Sequence, residues 1–117
     1  MGVGMERGSG TISITVRAIN VGHRDITLNS MGYILPDKRY MILDSSYVKS
    51  NVRFPCTLSE GKECTIWETQ RQLALALTNR GFSGKIVLSG YYTSAIGTIF
   101  KSNTLLFDIG QALTETE

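Results

Sequence analysis

Apolar residues recur at every second position over most of this chain, and that spacing restricts its fold more than any other feature. Period two is the signature of strands with one face buried and the other exposed. In residues 11–19, Ile12, Ile14, Val16 and Ala18 share one face while Ser13, Thr15 and Arg17 share the other. Asn20-Val21-Gly22-His23-Arg24 then reads as a turn, because Asn and Gly tolerate a positive φ that a β-branched residue resists. Ile26 and Leu28 resume the alternation, which runs through Met31 and Tyr33 to a break at Leu35-Pro36-Asp37-Lys38. Proline presets that turn and removes a ladder donor. Residues 40–43 make a short strand, followed by a polar loop over 44–51. Residues 52–58 and 63–67 read as a hairpin across Ser59-Glu60-Gly61, with Gly61 placed for a glycine bulge. Residues 85–93 and 98–109 form a last pair of strands joined by Ser94-Ala95-Ile96-Gly97.

One segment breaks the rule. In residues 69–81, Leu73, Leu75 and Leu77 alternate with Ala as a strand would. Yet Thr69 and Gln72 stand at capping-box spacing, and Gly81 sits where a helix ends in a positive φ. Gln, Arg, Leu and Ala are strong helix formers, and no residue from Gln70 to Leu77 is β-branched. The segment is therefore predicted to be a helix that gives Leu73, Ala74 and Leu77 to the core and leaves Leu75 at the rim.

About seven short strands with turns at roughly ten-residue spacing predict an antiparallel β-sandwich, with one short helix around 70–80 near its end. A five-stranded oligonucleotide-binding barrel also carries a helix before its last strands, but the extra hairpin over 52–67 counts against it. With 117 residues, 42% of them hydrophobic, the chain can bury a core without metal or disulfide staples. Residues 11–112 are expected to form one domain, with 1–10 a flexible leader and 113–117 a frayed tail. No apolar run approaches the ~18 residues that span a bilayer. The first ten residues lack the apolar stretch of a signal peptide, and Glu6 stands where a myristoylation motif has Ser or Thr. A cytoplasmic location is expected.

The run from Thr15 through Asn20, Gly22 and His23 to Ile26-Thr27-Leu28 resembles the opening hairpin of bacterial immunoglobulin-like domains: a strand, an Asn-x-Gly turn and an "ITL" strand. The close of the chain, Gly90-Tyr91-Tyr92-Thr93-Ser94-Ala95-Ile96-Gly97 with Phe100-Lys101-Ser102 and Leu106-Phe107-Asp108, is similar to small bacterial proteins of that build. The resemblance implies a fold and no activity, since sandwiches host many functions. The disulfide and tryptophan of antibody domains are not matched: Cys56 and Cys64 are too close in sequence to bridge two sheets across a core.

Few residues can carry chemistry. If the turn at 59–61 closes a hairpin, Cys56 opposes Cys64, with Cβ atoms about 4.5–5.5 Å apart against the ~3.8 Å usual for a disulfide. Two readings stand: a strained, redox-labile cross-strand bridge, or two thiols serving as small core hydrophobes, which a reducing compartment favours. Zinc lacks both CxxC spacing and enough histidines, and no metal or cofactor is expected. His23, the sole histidine, lies in a turn where a solvated residue is commoner than a catalytic base. The glycines at 8, 10, 81 and 84 do not precede a Lys-Ser/Thr or a helix as a phosphate cradle requires. Tyr91 and Tyr92, adjacent in a strand, face opposite ways, one to the core and one outward.

These observations predict a non-enzymatic interaction module that binds another protein, or itself, through a sheet face or an edge strand. The expected edge is Tyr40, Met41, Ile42 and Leu43, short, apolar and bounded by breakers. The alternative is a nucleic-acid-binding barrel using Arg17, Arg24, Lys85 and Lys101 beside a tyrosine platform. A formal charge of only +2 weighs against it.

Overall fold

The computed structural model describes residues 1–7, 13–42, 49–50 and 53–114. Along the chain these form β1 (Gly2–Arg7), β2 (Ser13–Ile19), β3 (Ile26–Ile34), β4 (Tyr40–Ile42), β5 (Lys49–Ser50), β6 (Cys56–Leu58), β7 (Glu63–Thr69), α1 (Gln70–Asn79), β8 (Lys85–Ser94), β9 (Ile99–Asp108) and α2 (Ile109–Thr114). The strands make two antiparallel sheets. One has the order β1-β2-β7-β5, and the other β4-β3-β8-β9, with β6 also paired to β3. The expected mainly-β sandwich is observed, with its short helix at 70–80 as α1. The described residues form nine strands and a second helix, α2, where about seven strands and one helix were expected. Residues 11 and 12 of the first expected strand, Leu43, most of the 44–51 loop, residue 52 and residues 115–117 lie outside the described residues.

Alternation fills the core as the pattern requires. Ile14, Val16 and Ala18 of β2 and Cys64 and Ile66 of β7 face Leu28, Met31 and Tyr33 of β3 and Ile86, Leu88 and Tyr92 of β8, all buried. At Gly90 the Val16 side chain of the facing sheet packs directly on the backbone, since a Cβ there would stand 2.6 Å from Val16 Cγ1. Two residues on, the Tyr92 hydroxyl crosses the core to donate to the Val16 carbonyl at 2.8 Å and the Cys64 carbonyl at 3.1 Å. Tyr91 and Tyr92 do face opposite ways, yet both are buried, because the ring of Tyr40 covers Tyr91.

The helix follows its sequence signals. Thr69 caps α1 by accepting from the Gln72 N–H at 3.1 Å, the buried side chains are Leu73, Ala74 and Leu77, and Leu75 is exposed. Gly81, at φ +91°, turns the chain out of it.

Four expectations need correction. Gly2–Arg7, read as part of a flexible leader, are an edge strand paired with β2 from Gly2↔Ile19 to Arg7↔Ile14. The Asn103 amide fastens the far side of that strand, accepting from the Met5 N–H at 2.8 Å and donating to the Met5 carbonyl at 3.1 Å. One side chain thus serves both hydrogen-bonding groups of a backbone residue, as a neighbouring strand would. Second, the last strand ends at Asp108, and Leu113 and Thr114 belong to α2, not to a frayed tail. Asp108 accepts from the Gln111 N–H at 3.1 Å and starts that helix.

Third and fourth, two expected hairpins are in fact crossings. β2 and β3 lie in different sheets, and so do β6 and β7, so the turns at 20–25 and 59–62 carry the chain from one layer to the other. Only the β3–β4 and β8–β9 reversals are hairpins among the turns the sequence marks. Asn20, fully buried, ties the two crossings together. Its amide nitrogen donates to the carbonyls of Arg24 and Leu58, each at 2.8 Å, while its side-chain oxygen accepts from Gly22 at 3.0 Å. Its backbone exchanges bonds with Lys62 at 3.0 Å and Gly61 at 2.7 Å.

Candidate functional site

β4, the described part of the expected edge at residues 40–43, is the terminal strand of its sheet among the described residues. β4 enters from a turn in which Lys38 adopts φ 68° and its N–H donates to the Leu35 carbonyl at 2.9 Å. The Leu35 N–H then donates to the Arg39 carbonyl at 2.9 Å and sets the phase of the ladder. Bonded and non-bonded pairs alternate in an antiparallel ladder. Tyr33↔Met41 is therefore a bonded pair, while Ile34↔Tyr40 and Gly32↔Ile42 are not. The N–H and C=O groups of Tyr40 and Ile42 accordingly point away from β3, where no other described strand lies beside β4.

The side chains divide by the same alternation. Met41 is buried in the core, whereas Tyr40 is 44% and Ile42 65% exposed on the outer face of the five-stranded sheet. Gly32 is required beneath them, because a Cβ there would meet the Met41 carbonyl oxygen at 2.0 Å. The Tyr40 and Tyr91 rings pack with centroids 4.9 Å apart and planes tilted by 55°. Burial, and then the neighbouring Tyr40, push the Tyr91 hydroxyl above its ordinary pKa. The face continues across the sheet through Val87, opposite Leu106, and through Ile99, opposite Thr93, all three exposed.

The outer face of the other sheet is different in kind. There Arg17 lies between Glu6 at 3.9 Å and Glu63 at 3.7 Å. Beside it, Gly2 and Gly4 leave an open depression of about 490 Å³ that also reaches Ile19, Val21 and Asn103.

The remaining sequence candidates do not assemble into a site. Arg17 is on the four-stranded sheet, Arg24 is in the crossing after β2, and Lys85 and Lys101 are on β8 and β9 of the other sheet. They do not form one basic stripe. Lys101 does stand opposite Tyr91 in the register. His23 is exposed, with Nδ1 at 2.8 Å from Glu60 Oε2. Cys56 and Cys64 are both free thiols and do not oppose each other: Cys56 pairs with Leu28 in one sheet and Cys64 with Ala18 in the other. Burial pushes the Cys64 thiol up to about 11, and the nearby Cys56 adds to the shift. A high thiol pKa makes a poor nucleophile at neutral pH. Among the described residues no group of three or more His, Cys, Asp and Glu side chains is placed to hold a metal ion. No helix among them is long and apolar enough to cross a membrane.

Sequence reasoning missed Glu68, the one buried carboxylate among the described residues, at 3% exposure. Strand alternation alone would have found it, since Cys64, Ile66 and Glu68 share the inner face of β7. Its Oε1 accepts from the Tyr33 hydroxyl of the opposite sheet at 2.8 Å, while its buried Oε2 has no hydrogen-bond partner.

Compared with known proteins, the chain matches no family model, no curated protein and no solved structure at a significant level. What fold and site together define is an antiparallel sandwich in which exposed apolar side chains on one outer face adjoin an edge with no described strand beside it.

Proposed function

We propose that this chain is a non-enzymatic interaction module of immunoglobulin-like build, and that it engages another protein, or a second copy of itself, along β4 and the adjoining outer face. The build is supported by the strand order. The two sheets correspond to the A-B-E-D and C′-C-F-G orders of immunoglobulin domains, with β6 added and α1 inserted between the E and F strands. A cytoplasmic setting accords with two cysteines held as thiols.

One observation carries the functional reading. Tyr40 and Ile42 present exposed side chains and outward-directed backbone groups at the same edge. Exposed apolar edges are usually blunted by charge or proline, because they pair with other chains. A strand added to an edge gains main-chain hydrogen bonds, and alternate side-chain contacts give it specificity.

The test is a paired capture from lysate with wild-type and Ile42→Lys baits, each partner then titrated in purified form. Ile42 is exposed, so the substitution leaves the thermal midpoint within a degree or two. The reading expects the partner held by the wild type to lose at least tenfold in affinity for the variant. Equal retention by both baits would sink it. Met41→Lys is the wrong probe, since it buries a charge and unfolds the sheet.

A further inference from the structure

Glu68 is the penultimate residue of β7, immediately before Thr69, the cap of α1. A buried carboxylate is ordinarily paired with a cation or saturated with donors. This one has neither. Its single hydrogen bond comes from a neutral phenol on the other sheet, and its second oxygen is enclosed without a donor. Among the described side chains, the elements around it supply no compensating charge at contact. Arg7 of β1 stands in register with Ile14, the register partner of Glu68. On β2 the only ionisable side chain is Arg17, directed outward to Glu6 and Glu63. On β7 itself Glu63 is exposed and Cys64 is a buried thiol. Tyr33 is the only ionisable group of β3. Arg71 of α1 is exposed. Lys49 of β5 stands opposite Trp67 in the register, one residue before Glu68.

We propose that Glu68 is held as the neutral acid in the folded chain and that its ionisation loosens the clasp between the two sheets, making the sandwich proton-sensitive. A neutral carboxyl shares one hydrogen bond with the Tyr33 hydroxyl at little cost. Once the proton leaves to solvent, a full charge remains in the core with one donor, and water must enter at Oε2 or the strands must part. The effect reaches the open edge directly, because Tyr33 is the residue bonded to Met41, between Tyr40 and Ile42. Burial raises the Glu68 carboxyl from 4.5 to about 7, against the lowering effect of the Tyr33 hydroxyl.

Linkage fixes the sign. The unfolded chain loses this proton near 4.5 and the folded chain near 7, so stability is complete below the first value and falls as pH rises to the second. The fall approaches tenfold in the folding constant per pH unit, roughly 300-fold across the window.

The experiment is a carbon-detected titration of the side-chain carboxyl in ¹³C-glutamate-labelled protein, assigned by loss of one signal in Glu68→Gln. It is run alongside urea unfolding and amide exchange of Met41 at several pH values. The proposal expects a Glu68 midpoint near neutrality, weaker protection of the Met41 amide as it is passed, and no such pH slope in Glu68→Gln. A midpoint among the exposed glutamates, or an unchanged slope in the variant, overturns it. Tyr33→Phe gives an independent reading should Glu68→Gln fold poorly. Removing the one donor raises the Glu68 midpoint further, and a lowered midpoint there contradicts the proposal.

Discussion

Gly90 is expected to be intolerant of even one methyl group, for a steric reason that a second substitution can relieve. Its backbone is not among those with positive φ, so alanine meets no conformational barrier. The barrier is Val16 on the facing sheet. In Gly90→Ala the new Cβ would stand 2.6 Å from Val16 Cγ1 and 3.2 Å from Cγ2, with Ser102 Oγ at 3.3 Å. Carbon atoms in contact settle about 3.5–4.0 Å apart, so roughly an ångström must be found. Val16 is fully buried and stiff at χ1, and cannot simply rotate away. Overpacking of this kind costs about 1–3 kcal/mol. The smaller entropy of the unfolded alanine chain returns about 0.4–1 kcal/mol, leaving Gly90→Ala destabilised by about 1–2 kcal/mol. Val16→Ala alone costs about 1–3 kcal/mol for two lost methyl groups and the space they leave. In the double variant the new methyl enters that space, so the two costs do not add. The expected coupling is about 1–2 kcal/mol in favour of the pair, read by urea unfolding followed through Trp67, the sole tryptophan. Costs that add to within about 0.5 kcal/mol would refute the close approach of the sheets at this point.

Four further outcomes follow from particular contacts. Asn103→Ala leaves the Met5 N–H and C=O without their partner and is expected to cost about 1–3 kcal/mol, with amide exchange accelerated in β1 before the rest of the sandwich. Thr69→Ala removes the cap of α1 and costs about 1 kcal/mol, whereas Thr69→Ser retains most of it, measured by thermal unfolding. Gly32→Ala drives a methyl into the Met41 carbonyl, which no rotamer change relieves. It should cost about 3 kcal/mol or more and expose the Tyr40–Tyr91 contact to fluorescence quenching. A thiol titration of the native protein should find Cys64 unreactive until unfolding, then two thiols with or without reductant; a count of zero after non-reducing unfolding would establish a bridge.

What the sequence made legible was what neighbouring residues decide among themselves. α1 could be read because its cap, its composition and its closing glycine all lie within a dozen residues. The in-and-out alternation of β2, β7 and β8 could be read for the same reason. β1 could not, because Gly2 and Gly4 have poor strand propensity and the residue that fastens the strand, Asn103, is 98 positions away. α2 was missed although Asp108 and Gln111 stand at capping spacing, since the strand pattern before it ran on through Ile109. The edge at Tyr40 and Ile42 was placed by its breakers, but the phase that buries Met41 between them depends on pairing with β3.

The crossings show where local reasoning reaches its limit. A glycine turn such as Ser59-Glu60-Gly61 specifies that the chain reverses, and it does: Lys62 donates to the Ser59 carbonyl at 3.0 Å, and Gly61 takes φ +77°. It does not specify whether the next strand returns in the same sheet or in the facing one. That choice is made by a distant group. Asn20 reaches Leu58 on one side of the turn and Gly61 and Lys62 within it, using both its side chain and its backbone. Buried amides are costly unless every group is satisfied, so the corner at Asn20 and the corner at Gly61 must form together. The position of the cysteines follows from this. Had the turn closed a hairpin, Cys56 and Cys64 would have faced each other on adjacent strands. Because it carries the chain across the sandwich, they are distributed one to each sheet, and the Tyr92 hydroxyl, bonded to the Cys64 carbonyl, ties β8 of one sheet to β7 of the other.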